Sequence, residues 1–288
     1  MRAFLKQIGS FVKAVVHEIG ADDVPSLSAA IAYYTVFSLP PLLVIIVAVA
    51  GLWAGPDAVR EVILGEADSL IGPAAARSVE GMIENAGDLG DEPGAKLIGV
   101  LALFVGASGA FGALQRALNR AWGVTGSGAG GWKGLVFKRL LSFGMVLVIG
   151  FFLLASVVLS AVLAVLSETI TDITPLGIPA WVWQFVNSVG SFVVIAGLFA
   201  VLFKVLPDAV VAWRDVAVGA LVTAALFSLG KWGIGVYLGA SDPGSAFGAA
   251  GSLALILVWI YYSALVLLVG AEFTQVYACR YGSRIRPD

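Results

Sequence analysis

Six stretches of this chain are each long and apolar enough to cross a lipid bilayer, and that pattern limits the fold more than any other feature. They run Ser28–Leu52, Lys96–Ala113 with a polar continuation to Trp122, Leu140–Leu166, Trp181–Phe203, Trp213–Tyr237 and Ala250–Ala278. A hydrocarbon core about 30 Å thick needs about 20 helical residues to span it. Backbone amides find no water there, so only helices or a closed barrel can cross. Alternating segments of about ten residues, the mark of a barrel, are absent. The 35 glycines suit helices that pack closely through small residues. The expected fold is therefore all-α, a polytopic bundle of six transmembrane helices. No internal repeat stands out, so nothing points to inverted-repeat transporter architecture.

Composition supports lipid as the solvent. Hydrophobic residues make up 59% of the 288 residues and charged residues 12%, against about 25% charged in soluble domains. A single cysteine, Cys279, excludes a disulfide scaffold, and a net charge of −2 gives nucleic acid nothing to bind. His17 is the only histidine, so neither a metal site nor a cofactor is expected.

Lysine and arginine set the orientation. Thirteen of the seventeen fall in the N-terminal segment, the second-to-third and fourth-to-fifth connections, and the tail. The positive-inside rule then places both termini in the cytoplasm. Residues 1–27 form a cytoplasmic segment, 28–279 the membrane domain and 280–288 a cytoplasmic tail. In the first segment Phe4, Ile8, Phe11, Val12, Val15 and Ile19 share one helical face, while Arg2, Lys6, Lys13 and His17 share the opposite one. An interfacial helix on anionic lipid and a helix packed on the bundle both fit this pattern. The outside insertion, 55–95, is acidic. Two apolar sets at helical spacing, split by Pro73, predict two short amphipathic helices over the outer mouth.

Candidate chemistry sits on three spans. The first carries Tyr33, Tyr34 and Ser38 just before Pro40 and Pro41. Two prolines remove two donors and crowd the carbonyls of Val36 and Phe37, so a kink or break is expected, lining a cavity or merely bending the helix. On the second span Gly106, Gly109 and Gly112 offer a close-packing face. Beyond it, Gln115 and Asn119 lie on one stripe and Arg116 and Arg120 on the next. Glu272, late in the sixth span, shares their depth. A charge inside the membrane is costly and marks a functional candidate. The expectation is that Glu272 pairs with Arg116 or Arg120 within a polar pocket open to the cytoplasm, or that the pair simply locks two helices.

The segments AIAYYTVFSLPPLL (30–43) and GASGAFGALQRALNRAWG (106–123), with the closing Gly270-Ala271-Glu272-Phe273, resemble the YihY/virulence factor BrkB family of bacterial inner-membrane proteins. The resemblance covers roughly residues 10–280. It implies six spans with both termini inside, in a family tied to envelope integrity, export of envelope components and cation/proton exchange. The family's older label, ribonuclease BN, finds no support in these residues, because the carboxylates concentrate outside, away from cytoplasmic RNA. Two functions stay open: transport of a lipid-like or envelope component or an ion through a polar cavity, and a scaffold whose loops hold envelope proteins. An enzyme is not expected, since no nucleophile–base pair is visible. Expected partners are membrane lipids, with envelope proteins or a second copy of the chain as further candidates.

Overall fold

A computed structural model describes residues 2–87, 109–124, 180–240, 243–282 and 286–287. The helices are α1 (Arg2–Ala21), α2 (Val24–Ala54), α3 (Pro56–Ile71), α4 (Pro73–Gly87), a segment 109–121 (α5), α6 (Ala180–Val205), α7 (Trp213–Ala240) and α8 (Pro243–Tyr281). Two-residue strands β1 (Ala209–Val210) and β2 (Arg286–Pro287) pair antiparallel. The described chain is otherwise all-α.

Among the described residues four helices are long and apolar enough to cross a membrane: Val24–Leu52, Val182–Val205, Trp213–Ile234 and Leu253–Tyr281. They coincide with the first, fourth, fifth and sixth expected spans. The third expected span, and the second up to residue 108, lie outside the described residues.

The helices define two ends. At one, α1 lies against the last turns of α8, where Phe11 meets Phe273 edge-on at 5.2 Å and Arg280 donates to the Ser10 carbonyl at 3.1 Å. This terminal end also carries the loop between α6 and α7. At the other, distal end, α3 and α4 close over the bundle. Their Ile71, Ala75, Val79 and Ile83 pack with Leu43 of α2 and Ile256 and Trp259 of α8. Pro73 lies in the first turn of α4, where its missing N–H costs nothing.

Two expectations change. The stripe on α1 divides: Val15 is buried and Phe11 packs on α8, while Ile8 and Val12 stay exposed, as does Val16 beside the stripe. α2 does not break at Pro40 and Pro41 but continues as one helix through both. Nor do its hydroxyls serve the carbonyls that the prolines crowd. Thr35 donates to Ile31 O at 2.8 Å and Ser38 to Thr35 O at 3.0 Å. α2 packs along α8 and against α3 and α4, and those neighbours hold the proline-bearing turn in helical form.

The tightest contact joins α7 and α8. A Cβ on Gly219 would fall inside the Thr274 side chain, and one on Gly270 inside that of Thr223. Each threonine donates to the carbonyl four residues back, Thr223 to Gly219 O at 2.7 Å and Thr274 to Gly270 O at 2.6 Å. In membranes such small-residue contacts replace the hydrophobic effect as the source of helix association. The register continues distally, where Tyr262 lies over Gly230 and donates to Leu226 O at 2.8 Å.

Candidate functional site

The polar residues of the terminal end fall into two clusters on adjacent stripes of α5. Residues four apart share a helix face, and the next residue points about 100° away. Gln115 and Asn119 therefore face one way and Arg120 another.

The first cluster is a clamp. Asn119 donates to one Asp208 carboxylate oxygen at 2.9 Å, Gln115 to the other at 3.2 Å, and Asn119 Oδ1 accepts the Asp208 backbone N–H at 2.8 Å. Both amides are buried. They hold the loop between α6 and α7, whose far side is tied by Lys204 donating to Val211 O at 2.6 Å. Each polar group finds a partner, as burial demands.

The second cluster surrounds Glu272. The turn between α1 and α2 places Asp23 at φ 53°, a left-handed conformation that aspartate tolerates. Asp22, beside it, meets Arg120 at 3.3 Å, and Arg120 also donates to Ala21 O at 3.1 Å. Glu272 is 0% exposed, and neither carboxylate oxygen accepts a hydrogen bond. The charged groups that face it are Asp22, Glu18 and Arg120. The expected ion pair of Glu272 with Arg116 or Arg120 does not form. Asp22 takes the Arg120 guanidinium, and Arg116 is exposed on the turn before.

The remaining expected site residues do not join them in one cavity. Tyr33 is 59% exposed and meets Tyr34 edge-on and Phe37 at a tilt on the surface of α2. Ser38 is buried and bonds only to its own helix. Gly109 does serve close packing, since a Cβ there would sit 2.7 Å from the Tyr34 ring. Gly112 lies under the Arg116 guanidinium of its own helix, and Gly106 lies outside the described residues. A concavity of about 560 Å³ occurs instead at the distal end between α3 and α4, lined by Asp57, Arg60, Glu61, Asp68, Arg77 and Glu80 among others.

The family model for virulence factor BrkB matches residues 15–288. The chain belongs to the YihY/BrkB family. Among BrkB-type relatives, a UPF0761 membrane protein of Stenotrophomonas maltophilia is 25% identical over 92% of this chain and 60% of its own length. One from Psychrobacter is 28% identical over 97% of this chain and 49% of its own. One from Ralstonia nicotianae is 30% identical over 88% and 55%. The chain thus spans about half to three-fifths of the length of these curated relatives. No solved structure matches it. The BrkB match joins the apolar helices in marking a membrane protein.

Sequence reasoning missed Asp22 and Asp208, the actual partners of Arg120 and Asn119. It also missed a signal that was present. Val218-Gly219-Ala220-Leu221-Val222-Thr223 and Val269-Gly270-Ala271-Glu272-Phe273-Thr274 share the pattern V-G-A-x-x-T. That short repeat marks the α7–α8 contact, with Glu272 inside it.

Proposed function

We propose that this chain is a six-span bacterial inner-membrane protein with both termini in the cytoplasm, and that it moves a lipid-like or envelope component, or an ion, across the bilayer. The proposed activity is displacement without bond making, so no catalytic residues are assigned. The observation that carries the reading is Glu272, a carboxyl on a spanning helix that is wholly buried with neither oxygen bonded. A group of this kind is expensive in hydrocarbon and earns retention only through use. α1 fits the same setting. Its exposed Ile8, Val12 and Val16 adjoin Lys6, Lys13 and His17 around the helix, so apolar residues would dip into the acyl boundary while basic ones meet anionic headgroups.

A scaffold is the second reading, and one observation favours it. Gln115 and Asn119 are fully engaged by Asp208 and line no open path. The charged concavity between α3 and α4 would then receive an envelope protein. Reconstitution separates the two. Liposomes carrying the protein are assayed for ion flux with an entrapped pH-sensitive dye and for movement of labelled phospholipid between leaflets. Transport by wild type that falls at least tenfold in Glu272→Gln sustains the first reading. Wild-type vesicles as tight as protein-free ones overturn it in favour of the scaffold.

A further inference from the structure

We propose that Glu272 and Asp22 form a proton-binding carboxyl pair, with Arg120 as the group that connects it to water. The pair itself does not depend on the transport reading; its role as a coupling site does. The argument begins with an unmet demand. Glu272 is completely buried with no donor on either oxygen, and another carboxyl, that of Asp22, faces it. Two ionised carboxylates are both acceptors and repel each other. One proton held between them turns the contact into a hydrogen bond and removes one charge.

Arg120 gives the pair its asymmetry. Its Nε lies 3.3 Å from Asp22 Oδ1, and its Nη2 is anchored on Ala21 O. Asp22 is thereby tied to the arginine and reaches toward solvent, with 22% of its side chain exposed, while Glu272 has none. Protons would enter through Asp22 and rest at Glu272. Among the described residues the charged groups around the Glu272 carboxyl are Glu18 of α1, Asp22 of the turn after it and Arg120 of α5. A metal cation fits poorly. The guanidinium already occupies one face of Asp22, and among the described residues the oxygens that a hard cation needs, about six, are not gathered here.

The test is infrared difference spectroscopy between two pH values on the full chain in lipid nanodiscs. Wild type should show a protonated-carboxyl band that titrates. Glu272→Gln should lose it, and Glu272→Asp, the conservative variant, should restore a shifted band. Asp22→Asn, at the half-buried edge, should move the titration midpoint by about one pH unit or more, since one neighbouring charge is worth that much. A band unchanged in Glu272→Gln, or a midpoint unmoved in Asp22→Asn, overturns the pair. A band that responds to sodium at fixed pH also overturns it, in favour of a metal cation. The band together with inactive liposomes would keep the proton site and sink the transport reading; flux without the band would do the reverse.

Discussion

Two stretches of this molecule share one frame and differ in a single telling position. In Val218–Thr223 of α7 and Val269–Thr274 of α8, glycine receives the opposing threonine, alanine is buried beside it, and each threonine bonds back to its own helix. The antiparallel contact is therefore nearly two-fold symmetric. The fourth position breaks the symmetry. Leu221 is 50% exposed, whereas Glu272 is wholly buried beneath α1 and α5. The frame fixes the helix crossing by itself, so the fourth residue is free of packing duty. On α7 it meets the surroundings as an apolar side chain. On α8 it holds a buried carboxyl that faces two other carboxyls, Asp22 and Glu18, and the Arg120 guanidinium.

The comparison breaks most forcefully at the glycines. Gly270→Leu or Gly219→Leu drives a side chain into space that a threonine already fills. Overpacking of this kind costs about 3 kcal/mol or more when neighbours cannot shift. Both variants should lose folded protein in denaturant titrations in mild detergent, and to similar extents. A well-tolerated leucine at either position would show that the contact is looser than the geometry states.

A reciprocal exchange at the fourth position sharpens the contrast. Leu221→Glu puts a carboxyl on an exposed face of a spanning helix and should destabilise by about 1–3 kcal/mol. Glu272→Leu removes a buried, unbonded carboxyl and should leave stability unchanged or raise it by about 1 kcal/mol or more, as replacement of buried ionic groups often does. Transport should survive the first change and vanish with the second. Strong destabilisation by Glu272→Leu would instead make the glutamate a structural element.

Much of this was legible beforehand, for identifiable reasons. Spanning segments declare themselves because a bilayer demands long apolar runs, and the four described spans agree within a few residues with Ser28–Leu52, Trp181–Phe203, Trp213–Tyr237 and Ala250–Ala278. The stripes of α5 were readable because helical period is local. Glu272 stood out because charge is rare in lipid. What sequence could not supply was the identity of partners. Spacing pointed to Glu272 on α8 as the partner of Arg120, but the turn between α1 and α2, with Asp23 at positive φ, brings Asp22 to the guanidinium. Asn119 likewise finds Asp208 through the fold and not through spacing. At Pro40 and Pro41 a kink or break was expected from the lost donors and crowded carbonyls; the break does not occur, and α8, α3 and α4 pack around the continuous helix.

The smallest expected effect probes the symmetry most finely. Thr223→Val and Thr274→Val keep the branched shape that fills the facing glycine and remove only the hydroxyl. That hydroxyl bonds to a carbonyl of its own helix which already belongs to the helical ladder, so its loss should cost about 0.5 kcal/mol, near the average for side-chain hydrogen bonds within membranes. Alanine at the same positions also empties the pocket over glycine and should cost about 1 kcal/mol more. Equal, small valine effects in parallel denaturant titrations would support a contact held by shape. If Thr274→Val proved more than about 1 kcal/mol worse than Thr223→Val, the two halves would not be equivalent, and the Thr274 hydroxyl would belong to the polar cluster around Glu272 and not to the packing frame.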